Sequence, residues 1–399
     1  MSVPATPTPP AANTAPLRLA LDARDLLVAE RTGVERVVFE FVRNVALLDR
    51  HIEVLLFTDR ALGAARPDGI VFPEVIVPVR RPRLQRLFDG WIVFDLGPAM
   101  KQHRIDAFVS LNTKFPPGSL PAFTTVHGVE WRFFPQGYSR VERLKQWLWF
   151  QLAVRRSAGV VTFAEHTRAD IARIHPGVRV PVRVVPEGVD PMFRRLAEHE
   201  RSTDVTARLG IVGPFLLSVC SLVPRKNIDG LLRAFAQMRG SLPDGMVLVL
   251  VGRSGRRAGE LHALASSLGI EASVKFTGWL PDADVVQLYN QAELFVYPSR
   301  YEGFGLPPLE AMACGVPVVT SDRSATAEVG RGAAVLIDPD SDASLAGGMR
   351  QVLCDDSLRA RLVAAGHERT KRYSWREMTV QIVDFVEATL ARNRRQKRR

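Results

Sequence analysis

Short apolar runs alternate with helically spaced segments along this chain, and the alternation runs through twice. No other feature restricts the fold as strongly, because strands separated by helices pair in parallel and need both faces of their sheet covered. The first round opens with Leu17 to Asp22, an alternating stretch that predicts a strand. A glycine-containing loop, Glu30-Arg31-Thr32-Gly33, leads into a helix over 34–48 with Val37, Val38, Phe41 and Val45 on one face. Further strands are expected at 52–57, 107–110, 123–126 and 159–163, with a helix over 141–156. The polar stretch Glu198 to Thr206 interrupts the pattern. It restarts with strand 215–219, helix 227–238, strand 246–251, helix 260–268, strand 274–276, helix 284–291, strand 294–297, helix 309–314 and strand 316–319. A last helix is expected over 375–390. The expected organisation is therefore a leader over 1–16, an α/β domain over 17–200 joined by the helix 375–390, a second α/β domain over 201–374 and a basic tail over 391–399.

Composition removes several classes of function. Hydrophobic residues make up 46% and charged residues 24% of 399, the balance of a soluble chain with a sizeable core. Three cysteines, Cys220, Cys314 and Cys354, have no CxxC spacing, which argues against a disulfide framework or zinc ribbon and for a reducing compartment. Five prolines in the first sixteen residues predict a disordered leader, with no charged segment and apolar core of a secretory signal. No apolar run approaches the roughly 18 residues that a membrane span needs. The net charge is +11, but residues 392–399 carry six basic side chains and no acid, and without them it would be +5. The excess is thus a solvated tail, which an anionic membrane surface would also attract, rather than a nucleic-acid-binding stripe. The expected location is cytoplasmic, with peripheral attachment to the inner face of the membrane through this tail or through Arg143 to Gln151, which mixes cations with Trp147, Trp149 and Phe150. A core helix with a basic rim fits that second segment as well.

Ligands of open α/β sheets bind beyond the carboxyl ends of the strands, so the loops there carry the candidate chemistry. The strand 294–297 runs into Pro298-Ser299-Arg300-Tyr301-Glu302-Gly303-Phe304-Gly305-Leu306-Pro307-Pro308 and then a helix. Gly303 and Gly305 allow close backbone approach to a ligand, Pro307 and Pro308 suit a helix start, and the free amides of that start suit a phosphate. Glu302 and Glu310 frame the loop and suit hydrogen bonding to sugar or ribose hydroxyls; alone, Glu310 would only complement the helix dipole and Glu302 would be solvated. Arg225 and Lys226 precede the helix at Asn227, where two cations oppose the dipole unless an anion joins them, so they are candidates for neutralising a diphosphate. His127 follows a strand and is flanked by Gly128. Gly33 sits between the first strand and first helix, either as a turn glycine or as a point of close approach. Asp282-Ala283-Asp284 has the form of a metal-binding DxD, but its place before a helix predicts capping, and no His/Cys cluster has metal-ligand spacing.

These elements resemble the retaining glycosyltransferases of family 4, which have the GT-B fold: two Rossmann-like domains facing across a cleft, with a C-terminal crossover helix. Glu302 and Glu310 match the family's E-x7-E motif, and Ala311-Met312-Ala313-Cys314-Gly315-Val316-Pro317-Val318-Val319 after it is also typical. Arg225-Lys226-Asn227 is similar to a subgroup that includes many mannosyltransferases. The resemblance runs from Leu19 to about Trp375. It implies that the second domain binds a nucleotide diphosphate sugar, with GDP-mannose favoured, and the first binds a saccharide or lipid-linked acceptor of bacterial surface polysaccharide synthesis. It further implies that Glu302 contacts donor-sugar hydroxyls beside Gly303, Phe304, Gly305 and Leu306, that Glu310 holds the ribose, and that Arg225 and Lys226 stabilise the leaving diphosphate in place of a metal. His127 would lie near the reacting face of the sugar and Gly33 near the phosphate. No cofactor and no metal are then expected. Two positions depart from the pattern: Cys220-Ser221 stand where a Gly-Thr pair is usual, and Ala327-Glu328 where Pro-Glu is often found.

Competing classes leave other marks. A nicotinamide-dependent oxidoreductase would carry GxGxxG in the first strand-to-helix turn, which reads Glu30-Arg31-Thr32-Gly33-Val34-Glu35. A silent binding or scaffold protein on this fold would be expected to lose Glu302, Arg225 or Lys226, and all three are present.

Overall fold

The computed structural model describes residues 15–397 apart from 29, 30, 32, 84–88, 119 and 254–256. The expected leader up to residue 14, Glu30 and Thr32 of the first loop, and the last two residues of the basic tail lie outside the described residues. Among the described residues the chain builds two parallel sheets. The first consists of β1 (Leu17–Asp22), β2 (Ile52–Thr58), β3 (Glu74–Ile76), β4 (Ala107–Ser110), β5 (Ala122–Thr125), β6 (Gly159–Thr162) and β7 (Val182–Val184). The second consists of β8 (Phe215–Val219), β9 (Val247–Val251), β10 (Val274–Gly278), β11 (Leu294–Tyr297), β12 (Val318–Ser321) and β13 (Val335–Ile337).

The strand orders are β3-β2-β1-β4-β5-β6-β7 and β10-β9-β8-β11-β12-β13, and the pairing is parallel throughout. Each order reverses direction once, between β1 and β4 and between β8 and β11. A crevice opens at such a reversal, beyond the carboxyl ends of the strands. Central strands are sealed on both faces, which is why Leu216, Leu217, Phe295 and Val296 are all buried and why their sequence reads as continuous apolar runs rather than alternation. The helix Gly33–Val45 buries Val37, Val38, Phe41, Val42 and Val45, each contributing about 1.5–3 kcal/mol of hydrophobic stabilisation.

The two connections between the units meet at a crossing point. Val189 donates a backbone hydrogen bond to the Tyr373 carbonyl, and a β-carbon on Gly188 would lie 2.1 Å from the Trp375 amide nitrogen, so only glycine lets these two connections pass. The final helix, Trp375–Lys397, then packs on the first domain, with the Phe385 ring 5.7 Å from that of Phe123 and Arg50 paired to Asp384 and Glu387.

Several expectations need correction. The basic tail is not a segment separate from the last helix over 391–397. It continues the last helix, because the stretch after Leu390 holds no Gly or Pro and its cations suit a helix carboxyl end. Asp282 and Asp284 do not cap their helix, Asp282–Tyr289, which starts after Pro281 with no side-chain cap; Asp282 pairs with Arg36 and Asp284 with Arg208. The helix expected at 309–314 is Leu306–Ala313, so Glu310 stands in its second turn, too deep to complement the first-turn dipole. Asn227 is not helical but left-handed, with φ 57°, and turns the chain from the tight turn Pro224–Lys226 into the helix Ile228–Met238. Three-residue strands such as β3, β7 and β13 were invisible to a pattern that needs four or more residues.

Candidate functional site

The loops after β8 and β11 meet the loops after β1, β5 and β7 in a cleft of about 420 Å³ between the domains. It is lined by Gly33, Arg36, His127 and Glu187 on one side and by Arg225, Lys226, Glu302, Gly303, Phe304, Gly305, Leu306 and Glu310 on the other. All ten site residues expected from the sequence therefore line a single cavity, and its size is that of an ordinary small-molecule site.

Glu302 is the hub of the second-domain side. Its Oε1 accepts from Lys226 Nζ at 2.6 Å, Tyr297 Oη at 3.1 Å and Ser299 Oγ at 2.5 Å, while its Oε2 accepts from Arg225 Nη1 at 2.7 Å. Burial alone would raise its pKa, yet Arg225 and Lys226 overcome that and hold it down at about 2. Arg225 is in turn pushed above the usual arginine range by Glu302 against its own burial, and Lys226 is lowered by burial and by Arg225. Two cations share the Glu302 carboxylate, and Glu130 is the next acid that acts on Arg225. Asn227 fixes the pair from below: its Nδ2 donates to the Pro339 carbonyl at 2.6 Å.

Glu310 sits differently. Arg36 of the first domain donates to it at 2.9 Å and to Asp282 at 2.5 Å, so one guanidinium spans the cleft and serves two carboxylates. Tyr289 Oη donates to Glu310 at 3.3 Å. Burial outweighs the shared Arg36, with Asp282 and Asp190 adding to it, and Glu310 is pushed up to about 7.

The glycines have separate tasks. Gly303 lies against the first domain: a β-carbon there would come within 1.7 Å of the His127 carbonyl oxygen. Gly305 has φ 131°, a conformation that side chains rarely adopt, and sits immediately before the helix Leu306–Ala313. Gly33 begins its helix with nothing within 4 Å of where a β-carbon would project, so its backbone faces open cleft. Phe304 and Leu306 are buried, and Phe304 packs edge-on to Tyr373 at 5.7 Å.

His127 places Nε2 2.7 Å from the Leu111 carbonyl oxygen. A carbonyl only accepts, so Nε2 carries the proton, and burial lowers the pKa of the ring, which leaves Nδ1 as a bare lone pair. The residue of the first domain nearest that nitrogen among its acids is Glu187, with Oε1 3.9 Å away.

Cys220 and Ser221, the departures from Gly-Thr, also line the cleft, and burial raises the Cys220 thiol to about 11, so it stays protonated and unreactive at neutral pH. Glu328 keeps a task despite the change of its neighbour to Ala327. It accepts from the amides of Glu165 at 3.1 Å and His166 at 2.6 Å, binding the start of the helix Glu165–Ile174 across the domain boundary. Among the described residues no group of His, Cys, Asp and Glu could hold a metal ion.

Arg36, Glu187, Tyr297 and Ser299 were not among the expected site residues. Arg36 lies one helical step from Gly33, and nothing local separates it from a solvated cation. Glu187 was findable, since Pro186-Glu187-Gly188 follows a strand and a buried acid between Pro and Gly at a carboxyl edge is a marked position.

Two family models match the chain, "Glycosyltransferase Family 4" over residues 31–193 and "Glycosyl transferases group 1" over 211–369, one for each domain. The chain belongs to the group 1 and family 4 glycosyltransferases. Among curated members of this family it is 38% identical over 228 residues to O-antigen chain mannosyltransferase B of Escherichia coli, covering 56% of this chain and 59% of that one. The chain therefore spans less than two thirds of that relative's length. Among solved structures it is similar to sucrose-phosphate synthase from Thermosynechococcus elongatus, with TM-score 0.73, 19% identity and coverage of 94% of this chain and 99% of the other. It is also similar to Anabaena Alr3699/HepE in complex with UDP-glucose, with TM-score 0.70, 20% identity and coverage of 93% and 99%. These likenesses establish the GT-B fold of this family member: two Rossmann-like domains and a C-terminal helix that returns to the first.

Proposed function

We propose that this chain transfers a hexose, mannose for preference, from a nucleotide diphosphate sugar to a saccharide or lipid-linked acceptor in bacterial surface polysaccharide synthesis, with retention of anomeric configuration. The observation that carries the reading is the pair of cations, Arg225 and Lys226, held on Glu302 opposite Glu310 in the same cleft. A departing diphosphate develops charge, and cations already fixed in place stabilise it without reorganisation at the moment of reaction. Two such groups can serve where other transferases use a metal, so the reaction is expected to be metal-independent, with no resident cofactor. Glu310, one cleft-width away, accepts hydrogen bonds from ribose hydroxyls once Arg36 yields. In a front-side displacement a diphosphate oxygen takes the proton of the acceptor hydroxyl, and no protein base is required. The mannose preference and the GDP donor rest on Arg225-Lys226-Asn227 and on the likeness to the E. coli mannosyltransferase; the nucleotide-sugar class is supported by the UDP-glucose complex of a fold neighbour.

The test is incubation of the protein with GDP-mannose, UDP-glucose or ADP-glucose and a mannose-containing oligosaccharide, with EDTA present, followed by NMR of the new anomeric proton. Metal-free formation of an α-linked product from an α-linked donor is expected. Nucleotide binding without transfer to any saccharide would favour a binding or scaffold protein on the same fold.

Attachment to the inner face of the membrane is part of the proposal. In the helix Arg140–Arg156, Trp149 and Phe150 turn into the core, whereas Val141, Leu144, Trp147, Leu148 and Leu152 are exposed among Arg140, Arg143 and Lys145. Among the described residues no helix is long and apolar enough to cross a membrane. Flotation with anionic liposomes is expected, and a protein that stays at the bottom of the gradient would remove this part.

A further inference from the structure

Glu130 has no part in the function proposed above, although it lines the same cleft as Arg225 and Glu302. It opens the short helix Glu130–Phe133 after β5, on the first-domain wall. The Tyr138 hydroxyl donates to its Oε1 at 3.2 Å. Its Oε2 lies over Gly128, where a β-carbon would come 2.7 Å from that oxygen, 3.4 Å from the Tyr301 ring and 3.6 Å from the Gly303 Cα. This second oxygen therefore stands against the loop that carries Glu302. Among the described residues it has no hydrogen-bond partner and no cation within salt-bridge reach.

An acid in this place works against a diphosphate. Among the charged groups that act on Arg225, Glu302 comes first and Glu130 second. A diphosphate brought to Arg225 and Lys226 is thus repelled by Glu130, so the donor gains nothing from it. The bond from Tyr138 satisfies one oxygen and leaves the other unused. A carboxylate oxygen only accepts, so it calls for a donor, and it disfavours any group that carries a phosphate. The wall it stands on belongs to the first domain, facing the second-domain residues that suit the donor. Neutral donors arriving from that side are the hydroxyls of a saccharide.

We propose that Glu130 Oε2 accepts a hydrogen bond from a hydroxyl of the incoming acceptor, which makes Glu130 a specificity-determining residue that selects a neutral saccharide over a phosphorylated one. This inference rests on the proposed function and narrows its acceptor to a neutral sugar at the end that enters the cleft. Tyr138 positions the carboxylate by holding Oε1, and Gly128 leaves room for Oε2. Glu130 weakens donor binding through its charge and strengthens acceptor binding through its free oxygen. The two affinities should therefore respond with opposite signs when that charge is removed.

Calorimetric titration separates the two effects. GDP, UDP and ADP are first titrated into the wild type and Glu130→Gln, which keeps an accepting oxygen and removes the charge. The nucleotide that binds should bind the variant more tightly, by up to about tenfold. With that nucleotide saturating, a neutral α-mannose trisaccharide and the same trisaccharide phosphorylated on its terminal residue are titrated into both proteins. The wild type should prefer the neutral sugar, and Glu130→Gln should reduce that preference by about tenfold. Tyr138→Phe, which frees the carboxylate to swing, should reduce it in the same direction by less. An unchanged preference in Glu130→Gln would overturn the inference. So would weaker nucleotide binding by that variant, since Glu130 would then serve only to hold Arg225. A wild type that binds nucleotide but prefers the phosphorylated sugar, or binds neither sugar, would overturn it while the donor-site reading stands. Should the wild type bind no nucleotide, the donor-site reading itself fails and the inference with it. Should Glu130→Gln not fold, the wild-type preference and its change in Tyr138→Phe decide.

Discussion

Glu302 lies in the loop and Glu310 in the helix that follows it, equally buried at 7% exposure, and they are held in opposite ways. Glu302 has two cations and two hydroxyls to itself and is kept ionised far below the ordinary range. Glu310 has one cation, shared with Asp282 and brought from the other domain, and is pushed up to about 7. Burial is the same for both; the number of cations committed to each decides the sign of the shift. The difference separates a permanent fixture from an exchangeable one. Glu302 anchors the cations that a diphosphate would meet, while Glu310 can release Arg36 and take another donor without stranding a fixed charge.

The largest expected break in this comparison comes from Lys226→Ala. It removes one of two cations from a buried carboxylate, which costs about 3–5 kcal/mol when such a pair is broken, and the melting temperature should fall by several degrees. Transfer should slow by about 100- to 1000-fold through loss of a charge aimed at the leaving group. A Lys226→Ala protein that melts and turns over like the wild type would show that Glu302 is not held as described.

The next effect sharpens the comparison through pH. Glu302 has a folded pKa below its ordinary 4.5, so its contribution to stability is complete above 4.5 and is lost as pH falls towards 2. Glu310 has a folded pKa above 4.5, so its contribution is complete below 4.5 and is lost as pH rises through about 7. Each is worth on the order of 3 kcal/mol. Denaturant melts from pH 3 to 8 should therefore give Glu302→Gln a flatter acid limb and Glu310→Gln a flatter neutral limb. Glu187 shares the sign of Glu310 and leaves a residual slope up to about 8. Identical pH curves for the two variants would contradict the contrast.

Gly303→Ala tests whether the loop between the two carboxylates is seated against the first domain. Its β-carbon would press on the His127 carbonyl, a backbone atom that cannot swing away. About 1–3 kcal/mol of destabilisation is expected in a denaturant melt. A variant as stable as the wild type would mean that the domains are not in contact there.

The smallest effect belongs to Arg36→Ala. Without the cation that lowers it, Glu310 should titrate higher, by about one pH unit, seen as an upward shift in the midpoint of nucleotide affinity against pH. An unmoved midpoint would disconnect Arg36 from Glu310.

How much of this was legible beforehand differs between the domains for physical reasons. The second domain announces itself, because Glu302, Gly303, Gly305 and Glu310 fall within nine residues of one loop and helix, and Arg225-Lys226-Asn227 in three. Strands β1, β8 and β11 were placed to within a residue, since each is a buried run bounded by polar turns. The first-domain contribution was mostly hidden. Arg36 meets Glu310 across 274 positions of sequence, and only the closing of the cleft makes it a site residue. The protonation contrast was hidden too, because Glu302 and Glu310 look alike until their neighbours are counted in three dimensions. Gly303 was read as a ligand contact, and its packing against His127 depends on a carbonyl from the other domain.

The most direct test of the central claim is calorimetric titration of GDP, UDP and ADP, with EDTA present, into the wild type and Glu310→Ala. One nucleotide should bind the wild type without metal and bind Glu310→Ala at least about tenfold more weakly, with the fold of the variant intact. Equal affinity of that nucleotide for both proteins, or no binding of any nucleotide to a folded wild type, would contradict it.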